Sequence, residues 1–262
     1  MTQFNLIKKN VLITGAAHGV GASLAKQFAK EGCALFLVDC DESKLTETGN
    51  EIKAMEVDPI LSVNNLALAE ERKQVFQTTT EKGFHVDILV NNVSVGHWKY
   101  FNDTPEEKIQ EMLNVNIHCT THMTKLFLPD MLKKDSGQIV NLSSTAAMIG
   151  APNGACYSAT KSYIKAFGES LSMELANTGI NVLTVSPGAT ETHFWEYAGM
   201  TGSGYEDQIE KMTSEEVALD TLSALKSGKS EVIIGLKNKF NMLVVKLAPR
   251  ELLKKVALRR FE

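Results

Sequence analysis

Tyr157 and Lys161 stand four residues apart in the run Tyr157-Ser158-Ala159-Thr160-Lys161, inside a segment whose periodicity predicts a helix over 155 to 178. That spacing brings a phenol and an ammonium to one helical face. A phenol titrates near pH 10 and exchanges protons poorly at neutrality. A cation at about 4 Å, in an effective dielectric of about 20, favours the phenolate by about 4 kcal/mol, or about three pKa units. A phenol shifted that far can serve as acid or base near neutral pH. The same pattern also describes a surface tyrosine beside a solvated lysine. Ser144 tips the reading toward a site, because it lies thirteen residues upstream at the end of a predicted strand, on the edge where such sheets bind ligands.

A second constellation opens the chain. Thr14-Gly15-Ala16-Ala17-His18-Gly19-Val20-Gly21 follows the first predicted strand and leads into ASLAKQFAKEG, which has helical periodicity. Glycines let a backbone turn sharply and approach a pyrophosphate, whose charge the start of a helix attracts. Gly15, Ala17, His18, Gly19, Val20 and Gly21 are therefore candidate contacts to a dinucleotide, the alternative being a turn kept for packing. Asp39 ends the second predicted strand, 18 residues beyond Gly21. Its carboxylate can accept from ribose hydroxyls and would repel a 2′-phosphate, which points to NAD rather than NADP; the other reading is that Asp39 only begins a turn.

The elements that must hold these residues are legible as short runs rich in Val, Ile and Leu, at 10 to 14, 34 to 39, 60 to 64, 87 to 91, 137 to 143, 181 to 186 and 231 to 235, separated by helical segments. Apolar side chains at nearly every position suit strands covered on both faces. The expected fold is α/β: a doubly wound, mostly parallel seven-stranded sheet with helices on both faces, in a single domain over residues 1 to 236. Residues 188 to 212, with four glycines, read as a movable substrate lid. Residues 237 to 262 read as a basic amphipathic helical tail, with eight Lys/Arg against two Glu, whereas the rest of the chain carries 19 against 29.

Composition bounds the partners. The chain has 262 residues, a formal net charge of −4 and 44% hydrophobic residues, an ordinary balance that argues against nucleic-acid binding. No leader pattern and no apolar run of about 18 residues is evident, so a cytoplasmic location is expected. Cys33, Cys40, Cys119 and Cys156 lack metal or disulfide spacing and read as free thiols.

Together these motifs make the chain resemble the short-chain dehydrogenase/reductase family, from Asn10 to about Gly235. The resemblance implies a catalytic set of Asn116, Ser144, Tyr157 and Lys161, with Asn116 holding a water that links Lys161 to solvent. Pro187-Gly188, Thr190 and Thr192 match positions that contact the nicotinamide end of the cofactor. In the reduction direction Ser144 would donate to a substrate carbonyl and Tyr157 would deliver the proton, giving an alcohol or ketone as substrate. Similar proteins pair through their helical layers, which implies a homodimer or homotetramer. A bacterial branch of the family matches best, through Gly228 to Gly235 and Asn238-Lys239. Two positions depart from the family pattern. Asn91-Asn92-Val93-Ser94 replaces N-N-A-G, and Asn65, followed by Leu66, stands where an Asp usually meets the adenine amino group. Asn65, Leu66, Asn92 and Val93 remain expected cofactor contacts, with an amide oxygen accepting in place of the carboxylate. Where the branch often carries Arg for a 2′-phosphate, this chain has Asp39-Cys40-Asp41. The altered N-N-A-G segment leaves open a competing role as a cofactor-sensing binding module without turnover.

Other residues admit two readings each. His118 and His122 have metal-ligand spacing but no evident third ligand, so no metal is assigned. Cys156 is a redox thiol or a small helix residue. His97, Trp98, His193, Phe194, Trp195 and Tyr197 line an apolar pocket or anchor core and loop. In the tail, Phe240, Leu243, Val244 and Leu247 keep helical spacing, and Leu252, Leu253, Val256 and Ala257 form a second stripe among Lys254, Lys255, Arg259 and Arg260. These stripes pack on the protein's own body or a subunit interface, or else the tail lies on an anionic membrane surface, as in a reductase of acyl or lipid substrates.

Overall fold

Successive side chains of a strand point to opposite faces, and the strands here are apolar on both, so each face needs a helical cover. The computed structural model, which describes residues 5–201, 209–249, 251, 253 and 255, meets that need with one sheet. The strands β1 (Asn10–Thr14), β2 (Ala34–Asp39), β3 (Ile60–Val63), β4 (Ile88–Asn91), β5 (Gly137–Leu142), β6 (Ile180–Ser186) and β7 (Glu231–Ile233) lie in the order β3-β2-β1-β4-β5-β6-β7. Every pairing is parallel. The helices are α1 (Gly19–Lys30), α2 (Glu42–Lys53), α3 (Ala69–Glu81), α4 (Glu106–Met112), α5 (Thr120–Lys134), α6 (Ala155–Glu174), α7 (Phe194–Tyr197), α8 (Ser214–Lys226) and α9 (Leu236–Leu247).

The alternation divides the core in two. Val11, Ile13, Leu35 and Leu37 face one way and bury Leu24 and Phe28 of α1, Leu45 and Ile52 of α2 and Val217 and Leu222 of α8. Leu12, Phe36 and Val38 face the other way, against Val75 of α3, Met123 and Phe127 of α5 and Leu171 of α6. Winding reverses between β1 and β4, so a crevice opens beyond the carboxyl ends of those strands, at Thr14 and Asn91.

The structure adjusts several expected boundaries by a few residues. The helix expected over 155 to 178 ends at Glu174, and β3 and β7 stop at Val63 and Ile233. A π-helical turn, Leu113–Cys119, joins α4 to α5. The segment expected as a lid is pinned at both ends: Thr190 and Met212 form a parallel bridge, with Met212 N donating to Ala189 O and Glu191 N to Met212 O, each at 2.8 Å. Residues 202 to 208 of that segment lie outside the described residues. The first tail stripe does not pack on the protein's own body, since Leu236, Phe240, Leu243, Val244 and Leu247 of α9 are all exposed. Apart from Leu253 and Lys255, the residues named for the second stripe lie outside the described residues.

The turn after β1 leaves no room for side chains. Gly15 has φ +66°, and a Cβ on it would stand 2.8 Å from Val93 Cα; a Cβ on Gly21 would overlap the Gly15 carbonyl oxygen. Overpacking of this kind costs about 1–3 kcal/mol. Gly21→Ala should therefore lower Tm by about 2 °C or more, while Gly150→Ala, with no atom within 4 Å of its added methyl, should leave it unchanged. Equal melting temperatures in a thermal scan of the two variants would contradict the tight turn.

Candidate active site

The glycine turn is held by two side chains. Thr14 Oγ1 donates to Val90 O (3.1 Å) and accepts from Asn92 N (3.0 Å), while Asn92 Nδ2 donates to Thr14 O and Gly15 O, both at 2.9 Å. Asn92, expected as a cofactor contact, thus spends its amide hydrogens tying β4 to the turn. His18 occupies the N-cap of α1 without a side-chain cap hydrogen bond, and the first turn carries no acid. By contrast Asp41 caps α2 and Thr213 caps α8. The start of α1 therefore presents backbone donors and the positive end of a helix dipole without a protein anion on them. Gly19, at φ +50°, lets Thr192 approach, its methyl 2.7 Å from where a Cβ would stand.

Asp39 closes this end of the crevice. Its oxygens accept from Ala17 N (2.9 Å) and Asp41 N (3.1 Å). Asp41 in turn meets His18 Nε2 at 3.0 Å. The Lys44 backbone amide, and then His18, hold the Asp41 carboxyl below its ordinary range. A cavity of about 750 Å³ extends from Gly15 and Asp39 past Leu66 and Val93 to Glu107 and Glu111, and no Lys or Arg among the described residues lines it. Asn65 also lines it, but its side-chain oxygen already accepts from Ala67 N at 3.1 Å.

Arg72 is a residue that sequence reasoning missed. It is buried, and its guanidinium donates to Leu66 O (2.6 Å), Ala67 O (3.1 Å) and His122 Nδ1 (3.0 Å), fixing the loop on the cavity wall. His122 is thereby a neutral acceptor, its pKa lowered by burial and then by the Arg72 charge. His118 turns elsewhere, to Asn114 Oδ1, so the pair does not converge as metal ligands.

Ser144, Tyr157 and Lys161 meet on the wall of an adjoining cavity of about 510 Å³, which also touches Gly15, Gly19, Val20 and Asp39. Ser144 follows β5 in an extended conformation and accepts from Ala146 N at 3.1 Å; the Tyr157 phenol hydrogen-bonds with its hydroxyl. Lys161, only 3% exposed, donates to Leu142 O at 2.9 Å, with its Nζ 5.7 Å from the centre of the Tyr157 ring. Asn116 sits within the π-helical turn. Its Oδ1 accepts from Val95 N, and its Nδ2 donates to Val95 O and to Thr160 Oγ1, all at 2.9 Å. The Asn116 amide straps the 95 segment to α6, one residue before Lys161.

Charge in this cavity departs from the expectation that Lys161 lowers the phenol. Burial pushes Tyr157 up to about 12, opposed only by the Ser144 hydrogen bond, and pushes Lys161 down to about 7. Removing both groups from water penalises the phenolate and the ammonium alike, and that penalty exceeds their attraction. Pro187, Gly188, Thr190 and Thr192 complete the wall. Trp98, His193, Phe194, Trp195 and Tyr197 also line it, whereas His97 does not. Phe194 lies 5.1 Å and Trp98 6.1 Å from the Tyr157 ring, centre to centre. Burial raises the Cys156 pKa, which works against a reactive thiolate there, and all four cysteines are free.

Comparison with known proteins places this geometry. The family model for short chain dehydrogenases matches residues 9–201. An uncharacterised oxidoreductase of Staphylococcus saprophyticus is 30% identical over 215 residues, covering 82% of this chain and 91% of the relative. A short-chain dehydrogenase from Sphingobium yanoikuyae, solved with NADPH, superposes with a TM-score of 0.82 at 25% identity, covering 94% of this chain and 95% of the other. A family member from Burkholderia phymatum, solved with NAD, superposes at 0.84 with 20% identity, covering 92% and 94%.

A lysine whose pKa is about 7 folded and near 10.5 unfolded takes up a proton on unfolding between those values, so stability rises with pH across that window and the burial cost is full below it. Lys161→Met should therefore stabilise the cofactor-free protein, by an amount on the order of 3 kcal/mol at pH 6.5 that shrinks toward pH 10. Denaturant melts of both proteins at the two pH values test this; a gap that widens with pH would contradict a destabilising buried ammonium.

Proposed function

Because the chain belongs to the short-chain dehydrogenase/reductase family and is an oxidoreductase, we propose that it interconverts an apolar alcohol and its ketone with NAD, using Tyr157 to move the proton. The observation that carries this reading is that Ser144, Tyr157 and Lys161 line one cavity together with the glycine turn at the start of α1. The turn suits a dinucleotide, because its glycines cannot carry side chains and the amides of α1 have no capping side chain. Gly15, Ala17, Gly19, Val20 and Gly21 would meet the pyrophosphate, Asp39, Leu66 and Val93 the adenosine, and Pro187, Gly188, Thr190, Thr192 and Lys161 the nicotinamide riboside. The nicotinamide supplies or accepts the hydride.

The residues of the chain handle the proton and the oxygen. Ser144 donates to the substrate oxygen, and Tyr157, protonated at neutral pH with a pKa of about 12, is set to give its proton to a carbonyl oxygen during reduction. Lys161 provides a cation beside the phenolate that remains, and Asn116 positions it by holding Thr160. Trp98, Phe194, Trp195, Met200 and Ile209 on the cavity wall favour an apolar substrate. The NAD preference rests on two carboxylates, Asp39 and Asp41, at the ribose end and on the lack, among the described residues, of Lys or Arg lining the larger cavity.

Tyr157→Phe should lower kcat about 10²–10⁴-fold on an alcohol or ketone found by screening, while the dissociation constant for NADH stays within a small factor. Near-wild-type turnover by that variant would sink the mechanism. Because the phenol must lose its proton for oxidation, kcat/KM for the alcohol should climb from pH 7 to 10 while ketone reduction stays level or falls. For cofactor choice, fluorescence titration should show NADH bound more tightly than NADPH, with Asp39→Ala plus Cys40→Arg narrowing or inverting the difference. Equal affinities in the wild type would overturn the NAD assignment.

A further inference from the structure

None of the residues of α9 is buried, yet the helix has an ordered polarity. At about 100° per residue, Leu236, Phe240, Leu243, Val244 and Leu247 fall within an arc of about 100°. Leu236 is 83%, Phe240 66% and Leu247 76% exposed, so this arc faces solvent. Asn238, Met242 and Val245, on the opposite side, are half-buried. Asn238 fixes that side to the body by donating to Ile234 O at 2.9 Å and packing against Gly188. Lys237 flanks the apolar arc on one side, and Lys239 and Lys246 flank it on the other.

We propose that α9 docks the protein on an anionic membrane surface, the apolar arc entering the headgroup and acyl boundary and Lys239 and Lys246 meeting lipid phosphates. Lysines on both borders of an apolar arc can extend their stems along it while their ammonium groups stay at headgroup level. Charge along the sequence favours the same end of the chain: residues 237 to 262 carry eight Lys/Arg against two Glu, and the remainder, with 19 against 29, is repelled by anionic lipid. A second copy is the poorer occupant. Pairing two such arcs about a two-fold axis would bring the lysine borders together, and α9 has no Asp or Glu to meet them.

The docked helix would adjoin the active-site cavity. Asn238 packs on Gly188, and Lys237 pairs with Glu210, next to Ile209; Gly188 and Ile209 both line that cavity. An apolar substrate dissolved in the bilayer would then meet the cavity beside the docking face. The docking itself is independent of the reaction assigned above.

The test is sedimentation of the full chain with vesicles of phosphatidylserine and phosphatidylcholine, or of phosphatidylcholine alone, at low and high salt. Capture should require the anionic lipid and fall with salt. It should drop at least tenfold in Phe240→Asp with Leu243→Asp, and also in Lys239→Glu with Lys246→Glu, which keeps the apolar arc intact. Thermal melts and NADH binding like those of the wild type establish that each variant is folded. Absence of capture at low salt, or equal capture by both vesicles, would overturn the proposal. So would a dimer in sedimentation velocity that Phe240→Asp dissociates in a protein that ignores vesicles, which would assign the arc to a second copy.

Discussion

A lysine carried out of water is the costly element around which the rest of the site is arranged. Lys161 is brought there by the packing of α6 on the end of the sheet. Gly168 lets α6 approach so closely that a Cβ on it would overlap Thr184 Oγ1 of β6. The Lys161 carbonyl accepts from Ser143 Oγ at 2.9 Å, and its Nζ is held by Leu142 O, so backbone and side chain are fixed to the same strand end. Thr160, the residue before it, receives the Asn116 amide. A buried cation with one carbonyl partner destabilises the fold, and the neighbouring hydrogen bonds keep it from turning toward solvent. An apolar residue of similar volume would pack there without the penalty, so packing alone gives no reason for a lysine at this position.

At the other end of the crevice the constraint is steric rather than electrostatic. Gly15 and Gly21 touch each other's backbone, and the turn they form is held by Asn92, whose amide grips Thr14 O and Gly15 O, together with the hydrogen bonds of Thr14 Oγ1 and of Asp39 to Ala17 N. Arg72 does comparable work two strands farther out, beyond β3, where it holds the carbonyls of Leu66 and Ala67. Both clamps act on backbone that borders the cavities, so the shape of the cofactor-sized space is set before anything enters it. The two ends lie along the same sheet edge, because β1, β4 and β5 are neighbours in parallel register. Displacing one strand would move the glycine turn and the serine, tyrosine and lysine relative to one another.

The sequence makes legible those features whose residue types admit few substitutes. Glycines that cannot carry a Cβ and a tyrosine and lysine one helical turn apart announce themselves, as do strands apolar on both faces. Features that depend on who meets whom are hidden. Asn92 reads as a ligand contact, yet its neighbours make it a clamp. Arg72 lies in AEERK, which looks like a solvated helical run, and only its burial against His122 reveals a partner. The π-helical turn that aims Asn116 interrupts a stretch whose apolar spacing is ordinary for a helix. For α9 the pattern of an apolar arc is the same whether it packs inward or faces out; Asn238, a polar residue on the inward side, decides the orientation. The electrostatic expectation failed for a related reason, since spacing gives the distance between two charges but not the water that surrounds them.

That last difference changes how the site must be understood. In water the two groups titrate close together, near 10.0 for the tyrosine and 10.5 for the lysine, so a phenolate and ammonium pair would be accessible at mildly alkaline pH. Burial separates them, to about 12 and about 7. Over the interval between those values the resting pair is a neutral phenol beside a neutral amine, the state with least charge to desolvate. In the proposed reaction the phenol would then be an acid that holds its proton until an acceptor with rising negative charge, such as a carbonyl oxygen being reduced, arrives within hydrogen-bond reach. Alcohol oxidation by the proposed route would require that a proton leave the cavity, and the charge left behind would be stabilised by Ser144 and by reprotonation of Lys161. In that proposal the lysine would matter most after the proton has moved, when a negative oxygen beside it restores the reason for an amine to become an ammonium.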